Sequence, residues 1–129
     1  MSTLVVSNIN DGTTTVPATY VTNGSAKAWV NFNGTGTVSI RNSLNTSSMT
    51  DLGTGRYGQN FTTSFGAADF SSSVSGSGTN AFPDTGDANQ NTRTQNVTAS
   101  LLQMIIAYNT GSIVYDPPYM TYTSHGDLA

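Results

Sequence analysis

Residues 27–70 read KAWVNFNGTGTVSIRNSLNTSSMTDLGTGRYGQNFTTSFGAADF and hold the chain's only tryptophan, its cleanest alternation and two copies of one turn. Trp29 and Asn31 alternate with Val30 and Phe32, so a strand here presents Trp29 to one sheet face and Val30 with Phe32 to the other. The pattern predicts a half-buried strand. Asn33-Gly34-Thr35-Gly36 then supplies glycines, which accept positive φ without a Cβ clash, as a tight reversal between antiparallel strands requires. Val38 and Ile40 continue the apolar alternation. The device returns at Leu52-Gly53-Thr54-Gly55, ahead of a run in which Tyr57, Gln59 and Phe61 share one face. Two Gly-Thr-Gly corners this close together predict a β-meander, with the polar stretch from Asn42 to Ser48 bending between them.

Toward the N-terminus, Thr3-Leu4-Val5-Val6-Ser7-Asn8-Ile9 has strand composition and stops at the turn signal Asn10-Asp11-Gly12. Residues 13–26 are Thr-rich, with Pro17 and a second turn signal at Asn23-Gly24, and read as a polar, partly extended connection. Leu4, Val5, Val6 and Ile9 therefore form a strand-like arm. It either adds a strand to the sheet edge of another subunit or caps its own sheet.

Toward the C-terminus, Ser64 to Phe70 reads as a helical turn or a loop anchored by Phe65 and Phe70. Ser71 to Gln95, beginning SSSVSGSGTN, reads as one long polar loop, beyond the roughly 12–15 residues usual for a structureless connection. Loops of that length often carry recognition, and Phe82, Asp84, Asp87, Asn89, Gln90 and Arg93 offer a stacking ring and polar partners for a sugar or a neighbouring subunit. A plain solvated loop is the competing reading. Thr98 to Tyr108 carries the second apolar mass, Leu101-Leu102-Gln103-Met104-Ile105-Ile106, read as a buried strand with a helix as the alternative. Ser112 to Tyr115 follows as its hairpin partner. Asp116-Pro117-Pro118 breaks pairing, because proline has no ladder donor. Tyr119 to Tyr122 alternates again and closes the sheet, with the hydroxyls of Tyr115, Tyr119 and Tyr122 at the rim; the same tyrosines also suit sugar stacking.

The composition bounds the rest. At 129 residues the chain matches one domain, divided here into an arm and connection over 1–26 and a β-domain over 27–129. Only 9% of residues are charged, and Gly, Ser, Thr and Asn fill much of the remainder, the makeup of short strands joined by many turns. Trp29, six Tyr and five Phe are more apolar bulk than disordered chains keep. The fold class is therefore all-β, a single antiparallel β-sandwich or meander. With net charge −3 and the four basic residues Lys27, Arg41, Arg56 and Arg93 scattered, no nucleic-acid partner is expected. No cysteine is present, which removes disulfides and thiol chemistry. The start lacks the pattern of a signal peptide, and no apolar run suits a membrane span, so synthesis in the cytosol without membrane insertion is expected.

The block WVNFNGTGTVSIRNSLNTSSMTDLGTGRY resembles one found in short tail-fibre-like virion proteins of marine and cyanobacterial phages. The likeness extends to MSTLVVSNINDG, to Asn60-Phe61-Thr62-Thr63 with Ala68-Asp69-Phe70, and to Gly126-Asp127, covering most of residues 1–70 and the last strand. Gly58 and Gln59 replace strand formers of that family, which predicts a weaker strand there. The resemblance implies a virion location and a tail-fibre-like component, trimeric, that contacts a host surface glycan. A capsid decoration or cement protein, or a head fibre, bound to the major capsid protein, is the alternative; the partners are then other copies of the chain and either a tail adapter or the capsid protein. So low a charge opposes self-association little, and a trimer enlarges a modest core.

The search for chemistry returns little. His125 is the only imidazole, beside Gly126-Asp127 near the end, and abundant serine makes a His/Asp neighbour uninformative. Asp84, Asp87 and Asn89 are a loose set of oxygen ligands without the spacing or terminal Glu of an EF-hand. The Gly-Thr-Gly corners lack the third glycine of a dinucleotide site and the lysine of a P-loop. No metal, no cofactor and no enzymatic activity are expected. The Asn-x-Ser/Thr triplets at Asn23, Asn33, Asn45, Asn60 and Asn96 follow from composition.

Overall fold

The computed structural model describes residues 2–77, 90–108 and 113–129. In chain order its elements are β1 (Asn8–Asn10), β2 (Thr15–Pro17), α1 (Ala18–Gly24), β3 (Ala28–Asn33), β4 (Ser39–Leu44), β5 (Thr46–Asp51), β6 (Arg56–Phe61), β7 (Ser71–Ser77), β8 (Gln90–Thr98), β9 (Leu101–Tyr108), β10 (Ile113–Val114) and β11 (Tyr119–His125). All strand pairs are antiparallel, and the fold is all-β apart from the short helix. One sheet runs β4-β3-β11-β7; a second runs β10-β9-β6-β5 with β8 also on β9; β1 and β2 make a separate hairpin.

The alternation at Trp29 is used as its pattern predicts. Ala28, Val30 and Phe32 are buried, while Trp29, Asn31 and Asn33 are half-exposed on the other face. From the second sheet Tyr57, Gln59 and Phe61 turn inward on β6, and β9 is a strand whose Leu102, Met104 and Ile106 do the same. These residues, with Met120 and Tyr122 of β11, share one buried cluster to which both large sheets contribute. Phe32 lies edge-on to Tyr57 at 5.1 Å and to Tyr122 at 5.2 Å, so a single ring joins the two sheets. Phe65 stacks on Phe70 at 4.2 Å and both meet Phe61, anchoring an irregular loop that joins the C-terminus through a Phe65–Leu128 bridge.

Six expectations need correction. The two Gly-Thr-Gly corners do join β3 to β4 and β5 to β6, but β4 and β5 belong to different sheets, so the meander is split at Asn45, which takes φ 52°. In place of one long polar loop, Ser71–Ser77 and Gln90–Thr98 are strands. A ladder uses backbone groups, and Val74 and Val97 supply enough apolar contact on their inner faces. Residues 13–26 hold β2 and α1 instead of an extended connection, since Pro17 sets φ −56° at the helix entrance. Tyr119–His125 lies inside its sheet, between β3 and β7, and does not close an edge. Its Tyr122 hydroxyl is buried with no hydrogen-bond partner, not at the rim. The strand weakened on paper, β6, pairs on both sides, and its buried Gln59 donates from Nε2 to Thr46 Oγ1 at 2.8 Å.

The corners are clasped at one point. Asp116 Oδ1 accepts from the Tyr57 hydroxyl at 2.6 Å and from the Gly55 amide at 2.7 Å. The same hydroxyl lies 3.1 Å from the Gly34 carbonyl, Gly34 N–H donates to the Pro117 carbonyl at 2.9 Å, and Thr35 Oγ1 donates to the Asp116 carbonyl at 3.1 Å. Gly34 is required for space: a Cβ there would sit 2.5 Å from the Tyr57 hydroxyl. Gly55 is required for space and conformation, with φ +66° and a Cβ that would fall 2.6 Å from the Ile106 carbonyl. Burial, reinforced by the Asp116 carboxylate, holds the Tyr57 phenol well above its ordinary value, and burial alone does the same at Tyr122.

Two tyrosines therefore behave oppositely. Tyr57→Phe leaves Asp116 without its phenol donor and costs about 1.5–3 kcal/mol, whereas Tyr122→Phe removes an unpaired buried hydroxyl and leaves stability unchanged or raised by up to about 1 kcal/mol. Urea unfolding of both variants checks the contrast; equal losses would contradict it. Because both phenols have raised folded pKa values, the stabilisation is complete below the unfolded value of 10.0 and falls as pH rises beyond it, which denaturation at pH 9 and 11 measures.

Candidate functional site

The least covered part of the molecule is its beginning. Leu4 is 84% and Val5 88% exposed, and Val6, Ile9, Val16, Tyr20 and Val21 are exposed as well. Residues 2–6 have no regular structure, so of the predicted arm only Ile9 lies in a strand, the three-residue β1. The physical reason is pairing: β2 is only three residues long and meets Asn8–Asn10, leaving Leu4, Val5 and Val6 no intramolecular ladder. α1 buries none of its residues. Thus residues 2–26 contribute nothing to the buried cluster while holding seven of the exposed large apolar side chains.

This segment is nevertheless built. Asp11 Oδ1 accepts from the Thr13 and Thr14 amides at 2.9 and 2.8 Å, and Asn10 Oδ1 accepts from Gly12 N–H at 2.6 Å, with Gly12 at φ +102°. The Asn10 amide also donates to Thr15 Oγ1 across the hairpin. The Thr14 and Thr13 amides hold the Asp11 carboxyl below its ordinary 3.8. Ala18 N–H donates to the Ser7 carbonyl at 2.8 Å, tying helix to hairpin. The segment is held to the β-domain where Lys27 N–H donates to the Ser124 carbonyl and where His125 Nδ1 lies 3.0 Å from the Gly24 carbonyl, an arrangement that requires the proton on Nδ1. His125 therefore serves as a tether.

The predicted contact residues Phe82, Asp84, Asp87 and Asn89 lie outside the described residues, and Gln90 is described only as the first residue of β8. Arg93 is described: it pairs in register with Ile105, whose other neighbour is Arg56, so two of the four basic residues flank one strand on the outer face of the second sheet. Both are exposed, and no ion pair joins either to an acidic group among the described residues. The sequence placed Arg56 and Arg93 far apart, and only the register brings them together. On the first sheet, the Arg41 guanidinium lies 4.2 Å above the half-exposed Tyr119 ring, a cation–π contact. Among the described residues no three of His, Cys, Asp or Glu converge on a common point, and no helix is long and apolar enough to cross a membrane.

The Asp11 turn is testable by acid titration. Its lowered pKa means its contribution is in place above pH 3.8 and disappears as pH falls through the lower folded value. The Thr13 and Thr14 amide resonances are expected to titrate together with a midpoint below 3.8; a midpoint at or above that value would show the turn is not formed in solution.

No family model, no curated protein and no solved structure matches this chain.

Proposed function

We propose that the chain is a non-enzymatic structural protein on the surface of a phage particle, folded as a β-sandwich and assembled as a homotrimer: a tail-fibre-like component that contacts host surface glycans. The observation that carries this reading is the concentration of exposed apolar side chains in residues 4–21, on a segment with no part in the chain's own core. Apolar surface gathered in that way gains about 25 cal/mol per Å² when another chain covers it, and it marks an attachment element. The WVNFNGTGTVSIRNSLNTSSMTDLGTGRY block, with its likeness to tail-fibre-like virion proteins, supplies the setting. Arg56 and Arg93, exposed and without acidic partners among the described residues, suit the carboxylate or other anionic groups of a surface polysaccharide. Half-buried Asp116 and buried Gln59 serve the scaffold, Asp116 engaged by Tyr57 and Gly55 and Gln59 by Thr46.

One alternative shares the same observation. A capsid decoration or cement protein, or a head fibre, also needs a short N-terminal attachment element and no fibrous shaft, and no heptad or fibrous repeat is present in this sequence. Its partner is the major capsid protein.

Immunogold labelling of intact particles with antibody to the purified chain separates the two. Gold on the tail is the outcome expected for the fibre reading, and gold over the head would replace it with decoration. Particles that carry no gold would remove the virion assignment.

A further inference from the structure

Among the described residues the two large sheets have four long edges, and three of them are blunted in the same way. β4 carries the extra residue Arg41 where its register to β3 shifts between Asn31 and Phe32. β5 carries Ser47 where its register to β6 shifts between Thr46 and Ser48, and ends in Asp51. β8 carries Gln95 where its register to β9 shifts between Thr94 and Asn96, and bears Arg93. One-residue bulges and charges on edge strands are devices that prevent edge-to-edge pairing. β7 has neither. Ser71 to Ser77 pairs with Tyr119 to His125 through seven consecutive residues without a shift, and SSSVSGS contains no charge and no proline. Among the described residues β7 pairs with β11 and with no other strand. Every second residue of such an edge turns its N–H and C=O away from the sheet, offering a template for one more strand.

The same chain carries a segment suited to that template. Ser2 to Val6 is in no ladder, uncharged, free of proline, and rich in Leu and Val with high exposure, and Ser7 at its end is held only by the bond from Ala18 N–H to its carbonyl. Six extended residues span about 20 Å, close to the length of a seven-residue strand. The segment does not pair with its own β7, and among the described residues neither donor nor acceptor has a further strand partner. We propose that residues 2–7 of one copy add as a fifth strand to the β7 edge of a second copy. Leu4 and Val6 then face the side of the sheet on which Val74 packs against the core, and Val5 lies on the outer face beside Ser73 and Ser75. Because each copy gives one strand and receives one, the contact closes either by reciprocal exchange between two copies or head-to-tail in a ring of more. Closure after three copies produces the proposed trimer, and the inference deepens that assembly reading and rests on it for the number of copies.

The absence of native cysteine makes the test direct. Val5→Cys protein is mixed with Ser71→Cys, Ser73→Cys or Ser75→Cys protein under mild oxidation and read by non-reducing electrophoresis. At least one mixture is expected to give a disulfide between the two variants, and the corresponding double variants a ladder ending at three chains. Deleting residues 2–7 is expected to convert the oligomer to a monomer in light scattering that keeps its β-sheet circular dichroism, since these residues contribute nothing to the core, while the thermal midpoint loses its dependence on protein concentration. Absence of a cross-link in all three mixtures, cross-linking confined within single chains of the double variants, or a deletion protein that stays oligomeric would each overturn the inference. Those failures leave the particle-labelling result untouched, so loss of the edge assignment is distinguishable from loss of the virion reading.

Discussion

The two sheets of this protein meet at a carboxylate. Asp116 precedes two prolines that cannot join a ladder, and there its side chain takes the Tyr57 hydroxyl and the Gly55 amide while its main chain takes Thr35. Thr35 belongs to the β3–β4 corner and Gly55 with Tyr57 to the β5–β6 corner, so one residue brings together both corners and the approach to the last strand. Charge-assisted bonds of this kind are roughly twice as strong as neutral ones. Removing one partner leaves the others desolvated without compensation. Phe32, edge-on to both Tyr57 and Tyr122, extends the same junction into the apolar cluster. In a chain with few charges, this clasp is what holds the corners in register.

Around that junction the sequence is mostly Ser, Thr, Asn and Gly, and the fold shows how such a chain remains ordered. Inner-face positions receive the side chains of the buried cluster, while many outer positions are left to small polar residues whose backbones complete the ladders. The cost appears as buried polar atoms without partners, at Asn31 Oδ1, Gln59 Oε1, Tyr122 Oη and Ser124 Oγ. The N-terminal segment inverts the arrangement, with polar turns well satisfied and apolar side chains in the open.

How much of this was legible depended on where the information resides. β3, β6 and β9 could be read because Val30 with Phe32, Tyr57 with Phe61, and Leu102 with Ile106 mark a face by themselves. β7 could not, because one valine among serines carries no period, and its order comes from β11, which lies far along the chain. The change of sheet at Asn45 was visible only as a polar interval, since the left-handed backbone there is taken by an asparagine instead of a glycine. The arm was legible as apolar sequence, but its missing partner was not, because pairing is a property of two segments. The Arg56–Arg93 juxtaposition is likewise a matter of register across β9, which residue spacing does not encode. Phe82, Asp84, Asp87 and Asn89 lie outside the described residues.

The position of β11 governs the order of events during synthesis. It follows every other strand of its sheet yet sits between β3 and β7, so Trp29 finds its neighbour Thr123 only after the residues between them have been made. Until then the early hairpin of β3 and β4 must wait with Val30 and Phe32 uncovered, and its sheet lacks the strand that joins its two halves. Pairing between such distant segments is slow, because the loop must close before any contact rewards it. Completion of the four-stranded sheet therefore waits for residues 119–125, and a chain interrupted before them has no route to it.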